Sequence, residues 1–491
     1  MNNATQQIQT KWSQFVSLII VFFFWGFVAS GNAILIPVFK KSFTLTQFQA
    51  QLVEWAFYLA YFIGSVIFFV ISLFSDILQK FGYKKTLAIG LVFSALGAFL
   101  FVPAASFHSF WVFLTALFIV GLGFSVQQIV ANPLAIKMGS PETGAHRLTM
   151  AGGINSLGTT LGPILLGLAL FGRVSGEAGE LNLNDVKMPF IILGVAFIVV
   201  AVFLMLSKIE DPAKEEELKS TDGDKFSIFK YPQLVLGMLA IFIYVGTEVT
   251  IVSNLPALLK TPEFGNVAEH YIAPFVSLYW GSLMIGRWNG SINVFNISDQ
   301  QNMILKFTVP FVAFAIILGA NYFSGNDISS LYIYPIWILA FIVMSLIGGK
   351  NAGKTLMLFG ISGVVMMLCG LFFPDKMIAK YFFISGGLFC SIMWPSIFDL
   401  AIAGLGKNTG KGSSFLIMMI LGGGVLPLIQ GKICDLDLQH PDGIMGISFT
   451  HFSYIIPLLC FIYLGFYGFI TPKLLKKQGV VLSHEDGTST H

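Results

Sequence analysis

Charged side chains are scarce in this chain. Asp, Glu, Lys and Arg make up 11% of its 491 residues, where a soluble domain carries roughly 25%. So little charge excludes an ordinary water-facing surface. The 55% hydrophobic share and the mean hydropathy of +0.80 point to an integral membrane protein. Cysteine is equally rare: Cys369, Cys390, Cys434 and Cys460 are scattered, mostly inside apolar runs, with no CxxC pair. That excludes a disulfide framework and a cysteine-built metal site. There is no HExxH, no GxSxG and no P-loop GxxxxGK followed by Ser or Thr, so no enzyme constellation is present and no cofactor is expected. His108, His146, His270, His440, His451, His484 and His491 fall in loops, near span ends or in the tail, which argues against an intramembrane histidine relay or metal site. The net charge of +3 is small, and no nucleic-acid partner is expected.

What the chain has in abundance is long apolar runs. Segments of about 20 residues suffice to cross a bilayer. Fourteen such helices are expected, near 15–39, 51–74, 85–103, 109–131, 147–172 and 188–208, then 233–258, 271–295, 303–322, 329–348, 354–374, 380–404, 412–432 and 449–471. The stretch KIEDPAKEEELKSTDGDK (208–225) is too polar for hydrocarbon and reads as a linker. The expected division is a six-helix bundle over 1–208, a cytoplasmic linker over 209–232, a second bundle over 233–475 and a cytoplasmic tail over 476–491. The first apolar run is too long for a cleavable signal peptide and leads directly into further spans. With the N-terminus in the cytoplasm, 20 of the 28 Lys and Arg residues fall on the inside. The positive-inside bias then places both termini in the cytoplasm.

The two halves echo each other. Asn132-Pro133 and then Pro163-Ile-Leu-Leu-Gly167 in the first half are matched late in the second by Trp394-Pro395 and then Pro427-Leu-Ile-Gln-Gly431. Each half also opens on a helix with a glycine, Gly26 or Gly246, and a proline about three turns on, Pro37 or Pro256. Repeated halves of this kind are the pattern of secondary transporters, whose halves rock about a central site. Gly158-Thr-Thr-Leu-Gly162 and Gly422-Gly423-Gly424 provide small surfaces on which helices approach closely.

Polar side chains inside the spans carry the functional signal. The first span includes FWGFVASGNAILIPVF (24–39), weakened at its centre by small and polar residues yet free of charge. Asn32 there, Gln127 and Gln128 in the fourth span, Asn155 in the fifth and Asn254 in the seventh offer paired donors and acceptors to an uncharged polyol. Hydrogen bonding between helices competes for the same groups. Trp394 and Tyr58 can cover the apolar face of a sugar ring. Three acids lie inside spans, Glu54, Glu248 and Asp399, and intramembrane acids are candidates for ion coupling. Arg287 closes the eighth span and is expected as an interface anchor or gate partner.

FFFWGF (22–27), FTLTQFQAQLVEWAFYLAYFIG (43–64), ANP (131–133), RLTMAGGINSLGTTLGP (147–163), YVGTEVTI (244–251), YWGSLMIGR (279–287) and WPSIFDLAIAGLGKNTGKGSSFLIMMILGGG (394–424) together resemble the fucose–proton symporter family of the major facilitator superfamily. The resemblance covers nearly the whole chain. It implies an all-α polytopic fold of two pseudo-symmetric helical bundles. Members usually have twelve spans and their ninth looks like 354–374 here, so 303–348 is expected as an inserted helical hairpin. Asp76 and the run from Lys80 through Gly82 to Lys84 and Lys85 resemble the superfamily's loop between helices two and three, whose charges pair across helix ends.

The resemblance also speaks to the site. Asn155 matches a sugar-contacting asparagine, Trp394 stands where fucose carriers have a tyrosine, and Gly152 stands where they have a glutamine. Those carriers place an aspartate after the helix-one asparagine and a glutamate before ANP. Ala33 and Gln128 occupy these positions here, so coupling would fall to Glu248, Glu54 or Asp399, with protons or sodium. Hexose-type members share the helix-four glutamine, which favours a glucose- or galactose-like substrate. The expectation is a bacterial inner-membrane monosaccharide transporter, monomeric in the lipid bilayer, working by ion-coupled alternating access. An uncoupled sugar facilitator and an exporter of lipophilic compounds are the competing readings.

Overall fold

In the computed structural model, residues 10–43, 47–75, 77–171, 183–212, 227–268, 271–440, 443–444 and 446–480 are described. Lipid offers peptide groups no hydrogen-bond partner, so the apolar runs fold as helices that satisfy their backbone internally. The first half contains α1 (Trp12–Ser42), α2 (Gln47–Phe74), α3 (Ile77–Phe99), α4 (Phe110–Lys137), α5 (Gly144–Phe171) and α6 (Lys187–Leu206). The second contains α7 (Pro232–Ser253), α8 (Ala273–Ser291), α9 (Asp299–Phe323), α10 (Pro335–Gly348) and α11 (Ala352–Phe372). Two broken spans follow: α12 (Lys376–Cys390) with α13 (Met393–Ile402), then α14 (Thr409–Met418) with α15 (Gly422–Cys434). The last span is α16 (Ile455–Lys477).

Fourteen spans thus run through the described residues, as expected. Twelve carry windows long and apolar enough to cross a membrane. The other two, α5 and α8, hold the small and polar stretches AGGINSLGTT and GSLMIGRWNGS. Several ends differ from the expected bounds, α4 running on to Lys137 rather than 131 and α10 starting at Pro335 rather than 329. α3 starts at Ile77, eight residues before the expected 85, because the basic stretch is itself helical and is interrupted at Gly82, whose φ of 76° suits glycine. The final span starts at Ile455 rather than 449. Ser448 caps a separate short helix, Phe449–Phe452, and α16 runs on to the basic pair Lys476 and Lys477, which favours a helix C-terminus.

The chain forms two compact units. Unit one holds Met1–Gly144, Ala151–Ser227 and Leu405–Met418; unit two holds Ala145–Met150, Ile228–Gly404 and Met419–His491. These differ from the expected bundles by two short exchanged segments. In unit one, α4 packs on α2 and α3, α3 packs on α6, and α14 lies on α2 and α4, with the Phe69 and Phe415 rings 4.5 Å apart. In unit two, α12 packs on α8 and α11, α11 packs on α16, and α7 is flanked by α13, α15 and α16. By this packing α11 plays in unit two the part α3 plays in unit one, and α9 with α10 stands outside the scheme. The hairpin joins α8 through a polar ladder. Asn321 donates to Ser277 Oγ at 2.9 Å, Ser282 and Tyr334 share a hydrogen bond of 2.6 Å, Asn289 donates to the Lys306 carbonyl at 2.8 Å, and Ser345 donates to Asn289 Oδ1 at 2.7 Å. Such bonds contribute about 0.6 kcal/mol each between membrane helices.

Small residues set the closest approaches. A Cβ on Gly158 would lie 2.2 Å from the Phe23 carbonyl oxygen on α1, and one on Gly422 would lie 1.9 Å from that of Phe242 on α7. Both positions come from the small-residue runs picked out in the sequence.

Candidate functional site

The YVGTE segment of α7 places Tyr244 and Glu248 four residues apart, hence on one helix face. Glu248 Oε1 lies 3.7 Å from Arg287 Nη2 on α8, and each side chain is 15% exposed. Arg287 also donates through Nε to the Ser391 carbonyl at 3.3 Å. That carbonyl is available for a local reason: the residue four positions on is Pro395, which has no N–H to give it. A Cβ on Gly286 would fall 1.9 Å from Ser391 Oγ, so glycine lets α8 reach the break between α12 and α13. Tyr279 donates to the Glu248 carbonyl oxygen at 2.7 Å.

Tyr244 is buried beside both charges, yet its hydroxyl makes no hydrogen bond of standard geometry. Its ring lies 6.1 Å from that of Trp394 at 54°, and Trp394 lies 6.1 Å from Phe398 at 30°. A half-buried indole, a phenol set against the ion pair and the pair itself form an apolar wall with polar groups at its edge. That combination suits a ligand with one apolar face and several hydroxyls. The guanidinium is turned to Glu248, an arrangement that suits a gate partner, one of the two roles expected of Arg287, rather than an interface anchor. Tyr244 was missed, although its four-residue spacing from Glu248 was visible.

The other expected residues are dispersed. In unit one, Gln127 is fully buried: it accepts from Trp25 Nε1 at 2.9 Å and donates to Ser94 Oγ at 2.8 Å. Both ends of its amide join α4 to α1 and α3. Gln128 is half-buried and donates to Tyr61 OH at 2.9 Å. Asn155 is half-buried and donates to the Phe22 carbonyl on α1 at 3.0 Å, beside Gly26, where a Cβ would meet the Asn155 carbonyl oxygen at 2.0 Å. In unit two, Asn254 caps the end of α7, away from Glu248. It donates to Gln430 at 2.5 Å and accepts from Cys434 at 3.8 Å. Asp399, half-buried on α13, interacts electrostatically with the buried Arg147 of the Ala145–Met150 segment. Asn32 and Glu54 fall on α1 and α2, and their side chains lie outside the described residues. Of the expected residues, the structure brings Glu248 and Trp394 together through Tyr244.

Comparison with known proteins fits this geometry. Residues 15–427 match the model of the Major Facilitator Superfamily. A glucose/galactose transporter of Brucella abortus is 33% identical over 457 residues, covering 93% of each chain. An L-fucose-proton symporter of Haemophilus influenzae is 28% identical over 482 residues, covering 94% of this chain and 97% of its own. Among solved structures, FucP in the outward conformation superposes with a TM-score of 0.68 at 24% identity, covering 93% of this chain and 98% of its own. With the family model spanning most of the chain and a relative one-third identical along its length, the conclusion is direct: this chain belongs to the Major Facilitator Superfamily of multi-pass membrane transporters.

Proposed function

We propose that the chain carries a monosaccharide of the glucose or galactose type across the bacterial inner membrane by alternating access, in symport with protons. The carrying observation is the Glu248–Arg287 pair bordered by Tyr244 and Trp394. The sugar's apolar face rests on Trp394, and its hydroxyls engage the Tyr244 hydroxyl and the charges behind it. The likeness to relatives named for glucose/galactose transport and for fucose–proton symport supports this reading.

Coupling follows from the pair's chemistry. Protonated Glu248 no longer balances Arg287, which frees guanidinium donors for substrate oxygens. Loss of the proton restores the pair and withdraws those donors. A proton and a sugar therefore favour the same state, which is the requirement for symport. Half-buried Asp399 beside Arg147 is the second acid of the pathway. Both termini lie in the cytoplasm by the positive-inside rule, and the protein works as a monomer.

Uptake of labelled glucose, galactose, fucose and N-acetylglucosamine into proteoliposomes tests the proposal under imposed proton and sodium gradients. Accumulation driven by the proton gradient and abolished in Glu248→Gln is the expected result. Accumulation on sodium alone would overturn the proton assignment, and equilibration under neither gradient would make the protein a facilitator. No movement of any of the four sugars would sink the substrate assignment.

A further inference from the structure

The hairpin of α9 and α10 takes no part in the proposed sugar site, yet it carries a feature that a merely space-filling insertion would avoid. Lys306, in the second turn of α9, is 3% exposed. Among the described residues its ammonium has neither a carboxylate in salt-bridge reach nor a hydrogen-bond acceptor, and the charge acting on it is the like charge of Lys350. Its ammonium is not among the fully sealed unpartnered atoms of the chain, so its residual surface reaches the charged tip. A buried cation with no counter-charge is strongly unfavourable in a membrane and marks a place where an anion belongs.

The surroundings define which anion. Lys350 is exposed at the turn joining α10 to α11. Asn293 fixes that turn by donating to the Gly349 carbonyl at 3.3 Å, and Asn302, one turn before Lys306, donates to Asn293 Oδ1 at 3.4 Å. The two lysines thus stand at one end of the hairpin, beside a polar network. Beside them the outward surface is apolar: Met303, Ile304 and Phe307 on α9 and Val343 and Ile347 on α10 are exposed. A charged head and two apolar chains match that surface, whereas a soluble anion uses only half of it.

We propose that Lys306 and Lys350 bind the phosphate of an anionic phospholipid, whose acyl chains lie along the outer face of the hairpin. The site lies at the end that carries the lysine-rich loops, where anionic headgroups are attracted to basic residues.

The test uses purified full-length protein in neutral detergent and follows its melting temperature with added phosphatidylglycerol, phosphatidylcholine or inorganic phosphate. Phosphatidylglycerol is expected to raise the melting temperature above the value with phosphatidylcholine. Lys306→Met should remove that increment and, without lipid, melt at or above the wild-type temperature, because a buried unpaired charge is gone. Lys350→Gln, at an exposed position, should reduce the increment and leave the lipid-free melting temperature unchanged. An equal response to the two lipids would overturn the proposal, as would an increment that survives in both variants. Full reproduction by inorganic phosphate would assign the site to a soluble anion and overturn the lipid.

Discussion

Glu248 on α7 and Arg287 on α8 face each other at 3.7 Å, each with 15% of its side chain exposed. Both α8 and its partner helices are held close to this contact: Gly286 allows the approach to Ser391, and the polar ladder ties α8 to the hairpin behind it. Neither residue is sealed.

Glu248→Gln keeps the volume of the side chain and removes its charge. Proton-driven accumulation should fall by at least about tenfold, the equivalent of about 1.4 kcal/mol, while exchange of labelled for unlabelled sugar at equal concentrations persists. Parallel measurements of uptake and exchange separate the two.

Trp394→Ala removes the aromatic wall. The KM for sugar should rise about tenfold, because stacking and apolar contact of an indole are together worth roughly 1–2 kcal/mol. Trp394→Tyr should recover most of the affinity, as it keeps an aromatic face in the same place. Initial-rate uptake across sugar concentrations reads both.

Gln127→Leu should cost about 1–3 kcal/mol of stability, since Trp25 Nε1 and Ser94 Oγ lose their partner inside a buried cluster. Sugar affinity in the surviving folded fraction should stay within about twofold, a change below roughly 0.5 kcal/mol. Thermal unfolding with and without sugar checks this, and a large rise in KM would return Gln127 to the binding site.

Gly422→Val places side-chain atoms where the Phe242 carbonyl already stands. Overpacking of this kind costs roughly 1–3 kcal/mol, so the expected result is a lower melting temperature and reduced transport together. Unchanged melting would show that α7 and α15 do not need to meet so closely.

Much of the site was open to reading from the chain. Glu248 stood out because an acid inside an apolar run is rare, and Trp394 because an aromatic face there can cover a sugar ring. Gln127 and Gln128 show where such reading stops. They are neighbours, roughly 100° apart around one helix, yet one closes a clamp among three helices and the other reaches Tyr61. Arg287 followed the same pattern: its position near a helix end suggested an anchor or a gate partner, and the acid it pairs with lay on another helix.

By itself the sequence determined the membrane class, the fourteen spans and most of their bounds, because lipid forces each apolar run to satisfy its backbone as a helix. Tertiary structure alone decided which helix faces which: that α11 rather than α9 packs on α16, that Arg287 turns to Glu248, and that Lys306 is buried. The physical reason is the solvent. In water a helix advertises its buried face by an apolar stripe, but in a bilayer both the core and the surroundings are apolar. No stripe then marks the inward side, and close packing with a few polar contacts settles the arrangement.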